Sequence, residues 1–282
     1  MPEMPEIEAH AERLQQQFAG RVLESFRPLT FTSLKTALPA PDEAYGHALE
    51  HIDRRGKYLR MYIGPVVFIV HLMQGGRLLP DEKLAKKPRG GQARFIFDEG
   101  PALLLTEQGT ERRAGVWCVA RSDVDGPPVG DLGPEAVGLP PDELGALFSD
   151  HSMRIHGFLR DQRMVAGLGR RLANEVCWTA RVSPFATTKK LGADGAEKIS
   201  DAITVCATDG LEYERTRGDM SKSKDRPSAV HGRTGEPCPR SDECGDETIR
   251  AVEYSGYTVN YCPACQTGGK ILADNTTSKF LK

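Results

Sequence analysis

Four of the seven cysteines in this 282-residue chain lie close together near its C-terminal end. Their pattern is Cys238-x5-Cys244-x17-Cys262-x2-Cys265. Two close pairs separated by a hairpin-length spacer can bring four thiolates to one tetrahedral zinc ion. Because four ligands leave no coordination position for water, we expect one structural Zn²⁺ that supplies folding energy to a segment with little core of its own. Free thiols or disulfides are the alternative.

The N-terminal residues offer a second chemistry. The chain begins Met1-Pro2-Glu3-Met4-Pro5-Glu6, and a small second residue permits removal of Met1. Pro2 would then carry a free secondary amine. Since an α-amino group titrates near pH 8, an appreciable fraction of this amine is neutral and nucleophilic at pH 7. Attack of such an amine on a sugar aldehyde carbon gives a cationic iminium, an electron sink for elimination. Glu3 and Glu6 could donate or relay protons. The alternative interpretation of these residues is an ordinary helix start.

The elements that must position these groups begin with a helix. Pro5 suits a first turn and Gly20 a C-terminal stop. Apolar residues recur between them at helical spacing: Ile7, Ala11, Leu14 and Phe18. A β-rich region follows, with predicted strands at residues 58–63, 66–72, 95–97, 102–105 and 116–120. The third and fourth of these strands are expected to form a hairpin.

The second half of the chain is predicted to be mainly helical. Residues 123–141 are rich in Gly and Pro and indicate a linker. Three helices are expected beyond it, and residues 218–228 are polar enough to predict a mobile segment. The fold class is therefore α+β with several domains. The predicted bounds are 1–125 for a β-rich N-terminal domain, 126–140 for the linker, 141–228 for a helical domain and 229–282 for a zinc module with its tail.

The formal net charge of −2 argues against a uniformly basic nucleic-acid-binding surface but not against a local basic groove. Basic residues do form two runs: Arg163, Arg170, Arg171, Arg181, Lys189 and Lys190, and then Arg215, Arg217, Lys222, Lys224, Arg226, Arg233 and Arg240. Two solvated faces are the alternative interpretation. The remaining cysteines, Cys118, Cys177 and Cys206, stand alone in apolar or helical segments, as buried reduced thiols do.

Membrane and secreted classes are not expected. No apolar run approaches the roughly 20 residues of a membrane helix, and the N-terminus has neither a basic start nor an apolar core. We expect a cytoplasmic monomer, associated with the nucleoid if the source is bacterial.

Five short motifs occur in an order that matches one known family. They are Pro2-Glu3-Met4-Pro5-Glu6, Arg55-Gly56-Lys57-Tyr58-Leu59, Asp161-Gln162, Val165-Ala166-Gly167-Leu168-Gly169 with Ala173-Asn174-Glu175, and His231-Gly232-Arg233-x-Gly235-Glu236-Pro237-Cys238. With the cysteine cluster, they make the chain resemble the formamidopyrimidine-DNA glycosylase and endonuclease VIII family of base-excision repair enzymes. The similarity extends essentially from end to end.

The resemblance implies a fold and a set of catalytic residues. The fold would be an N-terminal β-sandwich with flanking helices, a helix–two-turn–helix domain and a C-terminal zinc-finger β-hairpin, and the substrate would be damaged DNA whose base is flipped out. Pro2 would be the Schiff-base nucleophile at the sugar C1′, and Glu3 would protonate the deoxyribose ring. Glu6 would help to order water. Lys57 would be the cation near a phosphate that assists elimination.

The DNA-gripping residues depart from the family pattern. An apolar wedge usually follows the His-Leu strand, and Gln74 stands in its place, one residue after Met73. The family's Arg-Arg-Phe-Gly loop appears as Arg112-Arg113-Ala114-Gly115, so Ala114 replaces the aromatic ring. Arg112 can still probe the orphaned base with its planar guanidinium. Because unstacking a base from duplex costs a few kcal/mol, this pattern predicts a preference for single-stranded, bubble or bulged DNA.

Phosphate-binding positions differ as well. His156 stands where the family has a lysine, and Arg170, followed by Arg171, replaces an asparagine. Tyr257 replaces an arginine that the family associates with δ-elimination, so β-elimination alone is plausible. The leading hypothesis is a glycosylase with abasic-site lyase activity on oxidised or ring-opened bases. The alternatives are a catalytically weak lesion-binding protein on the same scaffold and a glycosylase for bulky adducts or crosslinks.

Overall fold

The computed structural model of the chain describes residues 1–109, 112–254 and 256–273. The chain divides into two compact units. The first contains Met1–Asp131 and Glu214–Ser223, and the second contains Leu132–Tyr213 and the chain from Lys224 onward. The four predicted domain and linker bounds stay a prediction. Within the described ranges, no helix has the length and apolar character needed to cross a membrane.

The first unit contains one helix and two four-stranded sheets. The helix, α1, covers Met4–Phe18. The strands are β1 (Leu23–Pro28), β2 (Leu49–Arg55), β3 (Tyr58–Ile63), β4 (Val66–His71), β5 (Gly76–Asp81), β6 (Gly91–Phe97), β7 (Ala102–Glu107) and β8 (Gly115–Ala120). One sheet has the order β1-β6-β7-β5 and the other β2-β3-β4-β8, and the pairs within them are antiparallel. Short 3₁₀ turns cover Pro41–Ala44 and Arg121–Asp123.

Three aromatic side chains join the two sheets in one core. Phe26 and Phe95 come from the first sheet and Phe68 from the second, and their ring centroids lie 4.9–5.4 Å apart. The apolar face of α1, including Leu14 and Phe18, belongs to the same buried cluster. Burial of alternating apolar positions from both sheets is what stabilises a sandwich. The predicted N-terminal sandwich is confirmed.

The second unit is mainly helical and ends in a small hairpin. Its helices are α2 (Pro141–Asp150), α3 (Ile155–Arg160), α4 (Arg170–Thr179), α5 (Thr188–Arg215), α6 (Ser241–Cys244) and α7 (Pro263–Thr267). Helix α5 is interrupted at Gly192, and its last two residues fall in the first unit. Strands β9 (Arg250–Tyr254) and β10 (Tyr257–Tyr261) pair antiparallel. Two turns over residues 161–169 separate α3 from α4, as expected of a helix–two-turn–helix domain.

The segment after α5 was predicted to be mobile, but part of it is buried. Within the predicted mobile stretch 218–228, Met220 is buried in the core of the first unit and Ser221 is fully buried. The carboxylate of Glu214 accepts hydrogen bonds from the backbone N–H (3.1 Å) and the hydroxyl of Ser221. The polar composition did not predict this burial, because one buried methionine and one hydrogen-bonded serine are enough to hold the segment in place.

Candidate active site and nucleic-acid interface

The start of α1 holds the first candidate catalytic group in a buried position. Pro2 is buried while Met1 is exposed. Glu3 and Glu6 are only 3% and 1% exposed. The Glu3 backbone N–H donates a hydrogen bond of 2.6 Å to Glu6 Oε2, which is the reciprocal contact of a capping box. The helix start therefore places two carboxyl groups within one turn of Pro2, shielded from bulk solvent.

The same helix is tied to the turn that carries Lys57. Glu8 of α1 forms an ion pair with Arg54 of β2 at 2.7 Å, and Arg54 also donates to the carbonyl of Gly56 at 2.9 Å. Gly56 and Lys57 form the two-residue connection between β2 and β3, with Gly56 at a φ of +57° that favours glycine. Lys57 is 4% exposed. One ion pair thus links the helix that begins near Pro2 to the buried lysine.

His71 is a neighbour of Lys57 that no sequence motif singled out. Burial, and then the charge of Lys57, lowers the pKa of His71 to about 4. Its Nδ1 accepts a hydrogen bond from the Met73 backbone N–H at 3.1 Å, and its ring packs on Tyr58 with centroids 4.5 Å apart. The imidazole is therefore neutral near pH 7 and adds no positive charge beside the ammonium group.

Three predicted DNA-binding side chains of the first unit are exposed: Gln74, Arg112 and Arg113. Gln74 lies in the turn between β4 and β5, next to Met73, which packs partly buried against the core. Ala114 is buried, and its N–H donates to the Glu107 carboxylate at 2.6 Å. The Ala114 methyl group is therefore part of the protein interior, and the exposed side chain in the turn at Gln74 is a polar amide. A wedge role for Gln74 stays a prediction.

The Asp161-Gln162 motif shapes the turns that lead into α4. Gln162 Oε1 accepts a hydrogen bond from the Gly167 N–H at 3.0 Å, and its Nε2 donates to the Leu168 carbonyl at 2.7 Å. One side chain thereby satisfies backbone groups that lie outside regular structure. This positions Gly169 and Arg170 at the start of α4.

The four candidates for phosphate binding in the second unit differ in exposure. Arg170 is exposed, whereas His156 and Arg171 are 1% and 8% exposed. Tyr257 is half-buried at the beginning of β10. The guanidinium groups of Arg160 and Arg170 lie 3.4 and 5.8 Å from the centroid of its ring. A direct role of the buried His156 and Arg171 at DNA stays a prediction.

A buried pair on α4 anchors the segment that precedes the cysteine module. Glu175 accepts backbone hydrogen bonds from residues 229, 230 and 231 at 2.6, 3.1 and 2.8 Å. The neighbouring Asn174 contacts His231 Nδ1 at 2.9 Å and accepts from the Asn260 N–H at 3.3 Å. Asn174 and Glu175 thus have a positioning role that the motif alone did not reveal.

Replacing Glu175 by alanine is expected to destabilise the second unit. The change leaves three backbone N–H groups unsatisfied, and each buried unsatisfied group costs about 1–3 kcal/mol, with part recovered by water. We expect a loss of about 2–4 kcal/mol in the free energy of unfolding, measured by denaturant unfolding. Glu212→Ala, which removes an exposed glutamate of α5, is the matched control. Equal stability of the two variants would contradict the anchoring role.

The four clustered cysteines converge in space. The sulfur atoms of Cys238, Cys244, Cys262 and Cys265 all lie within 4.8 Å of one another, and Cys244 and Cys262 are 3.9 Å apart. Metal–sulfur bonds of about 2.3 Å in a tetrahedron give sulfur–sulfur distances of about 3.8 Å. The cluster therefore fits a single metal ion. Among the described residues it is the one group of three or more such ligands brought together.

Neighbouring side chains support the cluster from outside. Gln266 Oε1 accepts from the Cys262 N–H at 2.7 Å, and Gln266 Nε2 donates to the Val182 carbonyl at 3.1 Å. Arg240 stacks on the Trp178 ring, 3.7 Å from its centroid, and donates to the Trp178 carbonyl at 2.8 Å. Such outer contacts fix ligand orientation in metal sites.

The fold is similar to that of solved structures of Fpg (MutM) bound to DNA. The family model of the formamidopyrimidine-DNA glycosylase N-terminal domain matches residues 1–117. Among solved structures, wild-type Lactococcus lactis Fpg (MutM) bound to DNA containing an oxidised pyrimidine has a TM-score of 0.84 at 23% identity, covering 94% of this chain and 100% of that one. MutM in complex with DNA containing carbocyclic 8-oxo-G has a TM-score of 0.82 at 22% identity, with the same coverage. These structures show the fold.

Sequence relatives show the family. An uncharacterised formamidopyrimidine-DNA glycosylase-like protein of Mycobacterium tuberculosis is 38% identical over 153 residues, which cover 54% of this chain and 94% of the relative. The formamidopyrimidine-DNA glycosylase of Chloroflexus aurantiacus is 28% identical over 283 residues, covering 94% of this chain and 98% of the relative. The chain belongs to the formamidopyrimidine-DNA glycosylase family of base-excision repair enzymes, as its motifs predicted.

Proposed function

We propose that the protein excises damaged bases from DNA and cleaves the resulting abasic site through a Schiff base at Pro2, once Met1 has been removed. The observation that carries the proposal is the buried start of α1. There Pro2 is followed by two carboxyl groups that are 3% and 1% exposed, and the Glu8–Arg54 ion pair connects the helix to the turn of Lys57.

The chemistry follows from these groups. The Pro2 nitrogen attacks C1′ of the damaged nucleotide, and the bond from C1′ to the base breaks with its electron pair leaving on the base. Glu3 protonates the deoxyribose ring oxygen, so the ring opens to an iminium. Loss of a proton from C2′ then expels the 3′ phosphate by β-elimination. Glu6 orders water, and the ammonium of Lys57 stabilises phosphate charge.

Borohydride trapping tests this function. Reduction of the iminium should give a covalent protein–DNA adduct with DNA that contains an abasic site or an oxidised base. A panel of lesions, each in single and double strands, identifies the substrate class. A protein that binds these DNAs but never forms an adduct would be a lesion-binding protein. Ala114, whose small size suggested bulky adducts, is buried and gives that alternative no support.

The cysteine cluster supports one structural zinc ion. Four cysteine ligands would complete the coordination of a tetrahedral ion, so the ion would stabilise the hairpin module and take no part in the chemistry. We expect the working form to be a monomer with one zinc ion that acts on damaged DNA.

Lesions in unpaired DNA are expected to be better substrates than the same lesions in duplex. Gln74 is exposed and polar, and Ala114 is buried, so neither offers an apolar wedge to fill the space left by a flipped base. Because unstacking costs a few kcal/mol, we expect at least about tenfold faster cleavage in single strands or bubbles. Single-turnover rates with one lesion in both contexts measure this.

A matched variant sharpens the comparison. Gln74→Met should raise the duplex rate and leave the single-strand rate within about twofold, since only duplex needs a wedge. A wild-type protein that clearly prefers duplex would overturn the expectation.

A further inference from the structure

Two tyrosines at the end of the zinc-module hairpin each hold an arginine of the helical segment 154–160. Tyr254 and Tyr257 form the last cross-strand pair of β9 and β10. The Arg154 guanidinium lies against the rings of Phe185 and Tyr254, 3.9 and 4.2 Å from their centroids. The Arg160 guanidinium lies 3.4 Å from the centroid of Tyr257. Stacking fixes the plane of each guanidinium group.

A second cation approaches the same tyrosine. The Arg170 guanidinium lies 5.8 Å from the centroid of Tyr257. Burial lowers the pKa of Arg160, and the charge of Arg170 lowers it further. Two positive groups are thus held near each other on one ring, an arrangement that by itself costs free energy and that an anion would relieve.

No carboxylate of the described residues forms an ion pair with either arginine, although the charge of Asp161 raises the pKa of Arg160. The nearest acid in sequence, Asp161, is engaged by Arg163 through hydrogen bonds of 2.8–3.1 Å. Among the described parts of the chain, neither Arg160 nor Arg170 has an ion-pair partner within 4.0 Å. Arg154 differs, because it contacts two aromatic rings and one of its terminal nitrogens is buried without a hydrogen bond.

Space for a ligand lies beside Arg160. A cavity of about 300 Å³ is open to solvent and is lined by Met153, His156, Gly157, Arg160, Asp161 and Tyr254. A guanidinium whose face is covered by an aromatic ring keeps its N–H donors at the edge, and these can bind two phosphate oxygens at once.

We propose that Arg160 and Arg170 form a binding site for a backbone phosphodiester of the DNA strand, and that Tyr257 is the positioning residue that holds Arg160 in it. Arg170 and Tyr257 stand at positions that the resemblance associates with phosphate, whereas Arg160 belongs to none of the motifs quoted above. The choice of DNA as the source of the phosphate rests on the proposed function.

The test is the salt dependence of DNA binding, measured with a stable abasic-site analogue that requires no catalysis. Each phosphate contact contributes about 0.9 to the slope of log affinity against log salt for duplex DNA. Arg160→Ala should lower that slope by about one and weaken binding about 5- to 30-fold at moderate salt. Tyr257→Leu should weaken binding by a similar factor, whereas Tyr257→Phe, which keeps the ring, should stay within about twofold of wild type.

Arg250→Ala is the matched control, since Arg250 is an exposed arginine of the same hairpin that lies 3.9 Å from Glu247. The proposal would be overturned if the salt slope of Arg160→Ala were no different from that of Arg250→Ala. It would also be overturned if Tyr257→Phe and Tyr257→Leu had the same DNA affinity. Thermal melting of each variant shows whether the second unit is folded. If Arg160→Ala unfolds, the comparison of Tyr257→Leu with Tyr257→Phe still tests the proposal. Failure of wild-type trapping would instead refute the proposed function and leave these binding slopes interpretable.

Discussion

Keeping one residue in front of Pro2 is expected to abolish the borohydride-trapped DNA adduct and to lower strand cleavage by about 10³-fold or more. In such a chain the proline nitrogen is a tertiary amide, whose lone pair is delocalised and cannot attack C1′. Pro2→Gly, which provides a primary amine after removal of Met1, should form an adduct far more slowly. Mass spectrometry of the purified protein verifies the terminus, and adduct yield on denaturing gels gives the result.

The control for this experiment is DNA binding by the same proteins. The blocked chain keeps every arginine and lysine side chain of the wild type, so affinity for an abasic-site analogue should stay within about threefold. Full trapping by the blocked chain would show that another amine is the nucleophile. The candidates would then be the α-amino group of the retained residue and the buried Lys57, and Lys57→Ala would separate these two amines.

Cys262→Ser is expected to release the metal and unfold the hairpin module. Structural zinc supplies about 10–16 kcal/mol of apparent binding free energy in small modules, and the module's own buried apolar residues are few. Asn174 and Glu175 bind the chain just before the module, and these contacts are lost when the module unfolds. DNA affinity should therefore fall at least about 100-fold. Metal content per chain and the salt-dependent affinity for DNA are the measurements.

Cys206→Ala is the matched control for the cysteine variant. Cys206 is a half-buried cysteine of α5 whose sulfur lies 3.3 Å from the Thr179 hydroxyl. Burial raises its pKa to about 11, so it stays a thiol at neutral pH. The control should retain one zinc ion per chain. Retention of a full equivalent of metal by Cys262→Ser, or disulfides among the four cysteines in the wild type, would contradict the zinc assignment.

Much of the candidate site could be predicted from the sequence because its groups depend on local order. Pro2 and Glu3 directly precede α1 and Glu6 lies in its first turn, and the Gly56-Lys57 turn is fixed by a glycine at positive φ. The paired spacing of the four cysteines is likewise enough to indicate a tetrahedral site. These features need only residue type and short-range geometry, so the sequence alone determined the family, the sandwich and the metal-binding cluster.

Other features depend on residues far apart in the sequence. The neutral state of His71 follows from its burial near Lys57. Met220 is buried in the core of the first unit, and Arg160 stacks on Tyr257, which lies 97 positions later in the chain. No periodicity in the sequence predicts either contact. Only the tertiary structure decided these contacts, because burial and the pairing of distant side chains arise when the folded chain excludes water around them.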